Sequence, residues 1–409
     1  MPIDFTPQPM FNPNRNQPQN VAPSNLLAKY KPDVFVKSVQ VSKNADYSNI
    51  KITQKPFGTI EKTSETAILY TITNKNGASV DISTFGATIT GIKIPDKNGK
   101  LTDVTQGYDN VTPYEKSPIG HAGGTIGPCA NKINKGEFSL NGEKYKLECN
   151  KDNGKTHCHG ASDGFDIKNW KAEVLKDGIE FSYHKKDGEG GYPGNVDAKV
   201  MYKFDNENNL RIIYSAKTDK DTLLNMTNHT YFNLDGSENV HENSVYGHIV
   251  TLPNSSTYTE NGEMSIPTGK ILNVENTPLN FKTPKKIGDV INSDFEQLKI
   301  GSGFDQNYCI DNYDGKSLIK IANVQSQKTG IELAVSTNLP GFQFYSANHL
   351  GKKTQPEGKS GARYEKCSSF CIEPQFFPNA INTEQFSEKG ILKKGETYNR
   401  EIVYSFCVK

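Results

Sequence analysis

The amino-acid sequence predicts an all-β protein built as one large antiparallel β-sandwich. Short runs of alternating apolar and polar residues recur along the chain, each bounded by Gly, Asn or Asp, which is typical of strands joined by turns. Sustained helical periodicity is scarce, and no repeat of fixed period is obvious. Because all-β units often run long, many strands over roughly 350 residues favour one large sandwich over several small domains.

The predicted strands follow one another from residue 67 to the C-terminus. Residues 67–74 end in the turn sequence NKNG, and residues 79–96 alternate apolar with polar residues before the turn sequence DKNG. Residues 33–41 could form a further short strand, but a linker-like segment follows them. The alternating pattern also predicts six more strands, at residues 178–186, 198–206, 209–218, 317–325, 330–338 and 400–406.

The N-terminal segment differs in composition from the rest of the chain. Residues 1–32 are rich in Pro, Asn and Gln and cannot bury enough apolar surface to offset their ordering entropy. We therefore assign residues 1–56 to a disordered or weakly ordered extension and linker, and residues 57–409 to the folded domain. The N-terminus has no basic start followed by an apolar run, so we expect neither a signal peptide nor a membrane anchor.

Charge and cysteine content narrow the range of partners and compartments. Lys and Arg number 47 against 46 Asp and Glu, a net charge of +1. This balance gives no electrostatic reason to expect nucleic acid or an anionic membrane, and a small neutral ligand fits better. The seven cysteines are odd in number and lack clustered pairs, which indicates reduced thiols. We therefore expect a soluble, cytoplasmic protein that is a monomer or a weak homodimer.

Six stretches interrupt the strand pattern with polar residues. Each places His, Asp, Glu, Gln or Lys beside aromatic residues and Gly or Pro. Sugar sites are built in this way, because aromatic faces cover C–H surfaces while a few fixed polar groups bind the hydroxyls. The stretches are residues 127–138, 156–165, 225–234, 303–308, 338–350 and 370–382.

Each candidate residue in these stretches also has a purely structural alternative. His229 could be a neutral core histidine bonded to a backbone carbonyl. Glu373 lies within the apolar sequence FCIEPQFF, where a buried carboxylate is costly unless it is paired or hydrogen-bonded, so a structural ion pair is its default interpretation. His157 and His159 could share a metal ion, although no third ligand is implied by the spacing. Asp305 could cap a turn and Lys132 could be a solvated surface residue.

Taken together and in their order, the stretches resemble the aldose 1-epimerase family, which is the galactose mutarotase family. The resemblance runs from about residue 57 to residue 407. The sequences that carry it are TFGATITGIKIPDKNGKLTDVTQGYDN, ANKINKGEFSLNG, HGASDGFDIKNW, NMTNHTYFNLDG, FDQNY, LPGFQFYSANHL and CIEPQFFPNAIN. Any one of these pieces is weak evidence, whereas so many in the family's order are specific.

The resemblance implies a β-sandwich of the galactose-mutarotase type, with its site on the concave face of one sheet. It implies that Glu373 is the general base, that His229 is the general acid and that His159 lies near the sugar ring oxygen. The family positions that hold the sugar hydroxyls match Asn131, Lys132, Asp305 and Gln343.

The chemistry of mutarotation suits these residue types. Opening a hemiacetal needs a base at the C1 hydroxyl and an acid at the ring oxygen, and both must exchange protons near neutral pH. Histidine does this naturally, and a glutamate does so when burial raises its pKa, for which Phe370, Phe376 and Phe377 are candidate neighbours. The reaction requires no metal or other cofactor, and the sequence contains no phosphate loop or dinucleotide fingerprint. The expected ligand is a free aldohexose such as galactose or glucose.

The chain departs from the family pattern at three positions. Pro128 and Lys132 stand where the family has arginines, and Gln306 stands where histidine is common. Lysine offers one flexible charge in place of a rigid fork of donors, which leaves the sugar preference open.

Three alternative functions remain open. A hexose-phosphate epimerase would need several arginines, which the motif stretches lack. A glycoside hydrolase would use Asp305 and Glu373 as a carboxylate pair but leave two histidines without roles. A sugar sensor would bind the sugar without catalysis.

Overall fold

The computed structural model describes residues 45–116, 120–238, 240–351 and 355–409. The disorder expected for residues 1–32 and the strand considered for residues 33–41 lie outside these ranges. The first strand begins at Lys51, ahead of the boundary at residue 57 that the sequence suggested. The residues before that strand are also tied to the domain, since Asn206 donates its backbone N–H to the carbonyl of Asp46 at 2.9 Å. The ordered region therefore starts earlier than predicted, because hairpin pairing organises a polar segment that has little apolar alternation.

The described residues form 27 strands. The first nine are β1 Lys51–Thr59, β2 Thr66–Thr73, β3 Ser79–Ser83, β4 Thr88–Pro95, β5 Leu101–Asp103, β6 Thr125–Ile126, β7 Lys132–Asn134, β8 Glu137–Leu140 and β9 Glu143–Lys146. The next nine are β10 Thr156–Cys158, β11 Lys171–Leu175, β12 Gly178–Lys185, β13 Val196–Phe204, β14 Asn209–Thr218, β15 Thr222–Leu223, β16 Thr227–Asn228, β17 Ile249–Thr251 and β18 Thr257–Asn261. The last nine are β19 Pro267–Asn273, β20 Lys285–Lys286, β21 Asp305–Cys309, β22 Ile319–Gln325, β23 Ile331–Thr337, β24 Gly341–Tyr345, β25 Cys371–Gln375, β26 Ile391–Leu392 and β27 Tyr398–Val408.

These strands confirm the all-β prediction. Every region that the alternating pattern marked between residue 67 and the C-terminus contains a strand, and residues 79–96 contain two, β3 and β4. Helices are short: α1 Thr112–Glu115, α2 Ile287–Val290 and α3 Glu296–Gly301. Among the described residues, no helix has the length and apolar character needed to cross a membrane.

Three antiparallel sheets supply most of the architecture. The largest has nine strands in the order β11-β12-β13-β14-β27-β23-β22-β17-β20, and two five-stranded sheets have the orders β1-β2-β3-β4-β5 and β19-β18-β21-β24-β25. One core joins them, since a single cluster of buried side chains contains Ile212 from β14, Ile82 from β3 and Phe342 from β24. Apolar faces of separate sheets are thus buried against one another, which is the defining feature of a sandwich.

The sheet that contains β21, β24 and β25 has one apolar and one polar face. Phe342 and Phe344 on β24 enter the common core, so Gln343 between them points to the opposite face. Gln343 is directly opposite Glu373 of β25 on one side and Asn307 of β21 on the other. Asp305 lies two residues before Asn307 and therefore shares this polar face. Strand alternation alone brings three of the predicted site residues together.

Candidate active site

A cavity of about 160 Å³ opens on this polar sheet face. A space of this size is smaller than the pockets that hold drug-sized ligands and suits one small molecule. All seven residues predicted for the site line it: Asn131, Lys132, His159, His229, Asp305, Gln343 and Glu373.

The strand residues of the cavity are fixed by amide hydrogen bonds. Gln343 donates from Nε2 to Asp305 Oδ1 at 2.6 Å, which orients its amide and holds the carboxylate. Gln375 donates from its Nε2 to Gln343 Oε1 at 3.5 Å. Glu373 differs from both, because its Oε2 is buried without a hydrogen-bond partner among the described residues. An unpaired buried carboxylate oxygen is costly for folding and is available to a ligand proton.

Asn131 immediately precedes β7, and His159 immediately follows β10, the strand that pairs with β7. Lys132 of β7 is opposite Cys158 of β10, so the residues flanking this pair meet at the rim of the cavity. Their backbones are joined by a bond from His159 N to Asn131 O at 3.2 Å, and Asn131 N donates to His159 Nδ1 at 3.3 Å. Because Nδ1 accepts that bond, the neutral ring of His159 carries its proton on Nε2.

His229 follows the short strand β16 and is 5% exposed. Its ring stacks on Tyr231 with centroids 4.9 Å apart. Its Nδ1 lies 3.6 Å from the Cys371 thiol, and its Nε2 lies 3.6 Å from Glu373 Oε2. The imidazole therefore faces a thiol on one side and a carboxylate on the other.

Burial shifts the proton affinities of this pair in opposite directions. Removal from water raises the pKa of Glu373 well above 4.5, and the nearby carboxylate of Asp305 raises it further. Burial lowers the pKa of His229 to about 3, with a second contribution from His121. Burial also raises the pKa of Asp305 and lowers the pKa of His159 well below 6.5. Burial therefore disfavours the cationic form of both histidines.

The three phenylalanines suggested as neighbours of Glu373 have other partners. Phe370 packs against Phe232, Phe376 lies beneath the guanidinium of Arg400, and Phe377 packs against Phe386. Burial and the nearby carboxylate of Asp305 raise the pKa of Glu373, and the contribution of the three phenylalanines to that burial stays a prediction.

Lys132 and Gln306, which depart from the family pattern, are both held by other groups of the protein. The Lys132 ammonium donates to the carbonyl of Met264 at 2.5 Å and pairs with Asp152 at 3.2 Å, so protein groups at the cavity rim hold it. Gln306 is buried on the other face of β21, where it donates to the Thr259 carbonyl. The substitution at Gln306 therefore lies outside the cavity wall.

Hydrogen bonding distinguishes a structural role from a metal-binding role for His157. His157 bonds through Nδ1 to the Glu148 carbonyl at 2.7 Å and through Nε2 to the Tyr192 hydroxyl at 2.7 Å, so it is a structural histidine. His159, His229 and Glu373 do place possible ligand atoms within 4.8 Å of one another. A ligating histidine normally donates its other N–H to an acceptor, whereas His159 Nδ1 faces a backbone donor. This arrangement suits proton transfer better than a metal ion.

Sequence reasoning missed several residues that line the cavity. They are His121, Lys151, Asp152, Tyr231, Tyr345 and His349. Tyr231, Tyr345 and His349 lie within stretches singled out for their polar and aromatic character, so their signal was present but unassigned. His121 is followed by the small residues AGG, and this segment has no cluster of polar and aromatic residues to mark it.

Comparison with known proteins agrees with this geometry. The family described as aldose 1-epimerase matches residues 69–405. A galactose mutarotase of Bos taurus is 38% identical over 330 residues, covering 80% of this chain and 91% of the relative. An aldose 1-epimerase of Escherichia coli is 30% identical over 348 residues, covering 83% of this chain and 95% of the relative.

Solved structures show the same fold. An aldose epimerase homologue from C. elegans superposes with a TM-score of 0.73 at 30% identity, covering 82% of this chain and 97% of that one. A galactose 1-epimerase from Lactobacillus acidophilus has a TM-score of 0.73 at 24% identity, covering 88% and 99%. The β-sandwich is therefore of the galactose-mutarotase type.

Proposed function

The chain belongs to the aldose 1-epimerase family, and we infer from that membership that it is an isomerase that interconverts the α and β anomers of aldoses. We propose that Glu373 and His229 carry the proton transfers. The observation that supports these roles is the 3.6 Å approach of His229 Nε2 to Glu373 Oε2, an oxygen with no hydrogen-bond partner among the described residues.

The proton content of this pair suits the reaction. Because burial raises the pKa of Glu373 and lowers that of His229 to about 3, the pair favours a protonated carboxyl beside a neutral imidazole. Mutarotation takes one proton from O1 and gives one to the ring oxygen, so the pair needs one proton and one vacant base. A sugar hydroxyl that donates to the carboxylate favours ionised Glu373 and moves the shared proton to His229.

The two reversible steps of the reaction are ring opening and ring closure, with a bond rotation between them. Glu373 accepts the proton from the C1 hydroxyl while the bond between C1 and the ring oxygen breaks. His229 gives its Nε2 proton to the ring oxygen, leaving an open-chain aldehyde. Rotation about the C1–C2 bond presents the other face of the aldehyde. Ring closure returns the proton from Glu373 to O1 and takes the hydroxyl proton back to His229.

The remaining cavity residues orient the sugar. Asp305 and Gln343 present a fixed carboxylate and amide from neighbouring strands, and we assign them to sugar hydroxyls. His159 carries its proton on Nε2 and is a donor for the ring oxygen region. Asn131 lies beside it, and Lys132 holds the rim through Asp152 and Met264. These contacts bind both anomers, so their loss should affect KM more than kcat.

We further propose galactose and glucose as substrates and the cytoplasm as the compartment. Mammalian relatives are named galactose mutarotases, which supports a hexose. All seven cysteines lie in the described part of the chain and are free thiols, which suits a reducing compartment.

The test is anomer exchange of freshly dissolved α-galactose and α-glucose, followed by polarimetry or NMR with the spontaneous rate subtracted. Acceleration of exchange is expected, with calorimetry giving the affinity for each sugar. Binding without acceleration would overturn the catalytic roles and leave a sugar sensor. Release of an aglycone from aryl glycosides would instead indicate a glycoside hydrolase.

A further inference from the structure

Tyr231 lies against the His229 imidazole and has no part in the reaction derived above. The two residues are separated by one position in the segment that follows β16. Their ring centroids are 4.9 Å apart, and the ring planes are only 21° from parallel. Tyr231 is 3% exposed and lines the same cavity as His229. The phenol ring therefore covers one face of the imidazole.

Hydrogen bonds fix both Tyr231 and the backbone of His229. The Tyr231 hydroxyl donates to the Gly120 carbonyl at 3.1 Å, and its backbone carbonyl accepts the N–H of Gln106 at 2.9 Å. The N–H of His229 donates to the Gly124 carbonyl at 3.1 Å. With the backbone and the phenol ring held, the freedom that remains to His229 lies in its side-chain torsions.

The imidazole presents one particular edge to β25. Its Nδ1 lies 3.6 Å from Cys371 Sγ, and its Nε2 lies 3.6 Å from Glu373 Oε2. Cys371 and Glu373 are alternate residues of one strand and point to the same face of the sheet, so a ring nitrogen faces each of them. The χ2 torsion of histidine is roughly two-fold, so a half-turn of the ring costs little by itself. That half-turn would exchange Nε2 for Cε1 and turn a carbon toward Glu373.

The other rings around His229 restrain its plane less closely. Tyr345 meets the imidazole nearly edge-on, at 84° and 6.4 Å, and His159 meets it at 65° and 5.4 Å. His121 is closer to parallel at 28°, but its centroid is 6.1 Å away. Of these four rings, Tyr231 has both the shortest centroid distance and the smallest angle. The restraint on the imidazole plane therefore comes mainly from Tyr231.

We propose that Tyr231 is a positioning residue that confines the His229 imidazole to the plane in which Nε2 faces Glu373 and the sugar ring oxygen. In that plane, the two contacts with β25 select which edge of the ring faces the carboxylate. Without the stacked phenol, the imidazole can tilt and carry Nε2 away from its target. This inference rests on the function proposed for His229. It goes beyond that function because it assigns the orientation of the acid to a residue that transfers no proton.

The principal variant is Tyr231→Leu, which removes the flat ring and keeps an apolar side chain in the buried space. Tyr231→Phe is the conservative counterpart, because it keeps the stacked ring and loses only the hydroxyl. The matched control is Tyr308, which is 0% exposed, stacks on Phe342 with centroids 5.4 Å apart and donates its hydroxyl to the Leu279 carbonyl at 3.0 Å. Because Tyr308 lies outside the cavity wall, Tyr308→Leu reproduces the loss of packing away from the site.

Each protein is measured in two ways. Steady-state anomer exchange, at a temperature well below melting, separates kcat from KM. Nitrogen NMR of protein with isotope-labelled histidine reports, without turnover, whether the His229 ring has one fixed environment. In Tyr231→Leu, kcat should fall by about tenfold or more while KM stays within about threefold, and the His229 ring signals should shift or broaden. Tyr231→Phe should recover most of the lost kcat, and Tyr308→Leu should lower the melting temperature without these changes.

Other outcomes would overturn the proposal. A higher KM with unchanged kcat would make Tyr231 a sugar contact, and a lower melting temperature with unchanged kcat and His229 signals would make it structural. Equal losses in Tyr231→Phe and Tyr231→Leu would assign the effect to the hydroxyl instead of the stacked ring. If Tyr231→Leu does not fold, Tyr231→Met takes its place, because a flexible thioether fills irregular buried space. If the unmodified protein does not accelerate exchange, the proposed function fails, while the NMR signals still decide whether Tyr231 holds the His229 ring.

Discussion

Glu373 and His229 face each other across 3.6 Å although they come from different parts of the chain, one from β25 and the other from the end of β16. Because both are nearly excluded from water, each determines where the other keeps its proton. The two residues therefore titrate as one coupled pair rather than independently.

The first prediction concerns the pH dependence of catalysis. The singly protonated pair is active, so kcat/KM should have two limbs. Activity should fall on the alkaline side as pH rises through the raised pKa of Glu373, because the pair then has no proton to give. It should fall on the acidic side only well below 6.5, because the pKa of His229 is lowered to about 3 and protonation there removes the base. Polarimetry over a broad pH range, with the uncatalysed rate subtracted, measures both limbs. An acidic limb centred near 6.5 would contradict this prediction.

The second prediction concerns His229→Asn. Asparagine can still fill part of the polar space but cannot deliver a proton to the ring oxygen. General acid catalysis is typically worth about 10²- to 10⁴-fold, so kcat should fall by that range. Sugar affinity, measured by calorimetry, should remain within about tenfold because other residues bind the hydroxyls. The control His184→Asn, at an exposed histidine whose Nδ1 lies 2.7 Å from Asp197, should retain full turnover. A large loss of affinity in His229→Asn would assign His229 to binding instead.

Much of the fold was predictable because strand alternation is a local property. The alternating runs located β2, β12, β13, β14 and β27, since each contributes alternate side chains to the common core. The start of β1 was not predictable, because its sequence KITQKPFGT has little alternation and its order comes from pairing with β2. Pairing between segments is a tertiary effect that a local pattern does not record.

The candidate site was predictable to a different extent. The predicted residues converge on one cavity, and their motifs gave the signal. The partners of Lys132 and the 2.7 Å contact between His121 Nδ1 and Asp166 Oδ2 were not predictable, because they join segments that are distant in sequence. Strand alternation next to Asp305 places Gln306 on the opposite face of β21, so this departure from the family pattern lies away from the cavity.

The third prediction concerns Lys132→Arg. The Lys132 ammonium bonds both Asp152 and the Met264 carbonyl, and a guanidinium has enough donors to keep both bonds and add one toward the sugar. We therefore expect the KM for the natural aldose to fall or stay unchanged. Steady-state anomer exchange measures it, and Lys132→Met, which removes the charge, should raise KM. A tenfold higher KM in Lys132→Arg would show that the site is built around the ammonium.

The fourth prediction concerns the N-terminal segment. Removing residues 1–32 should leave activity and melting temperature nearly unchanged, because that segment is not expected to pack. Removing residues 1–56 should lower the melting temperature, since it deletes most of β1 and the contact of Asp46 with Lys75 at 2.8 Å. Each kcal/mol lost corresponds to a fall of about 2–4 °C in a large domain. Calorimetry of both truncations tests the boundary, and a large loss on the shorter truncation would show that residues 1–32 dock on the domain.

The last prediction is that Glu373→Gln trades activity for stability. The amide keeps the shape of the carboxylate but cannot accept the C1 proton, so kcat should fall by about 10²- to 10⁴-fold. Burial raises the folded-state pKa of Glu373 above 4.5, so its stabilising contribution is complete below 4.5 and is lost as pH rises through the folded pKa. Glutamine does not titrate, and the variant should escape this loss.

The melting temperature of Glu373→Gln should therefore exceed that of the unmodified protein at neutral and alkaline pH, and the difference should shrink toward pH 4. Differential scanning calorimetry across this range measures the difference, with Glu238→Gln as the control because Glu238 is a surface residue paired with Lys100. A difference that did not change with pH would mean that the carboxylate is not held under strain by its surroundings. Unchanged turnover in Glu373→Gln would remove it from the reaction altogether, because an enzyme without its base cannot open the sugar ring at the original rate.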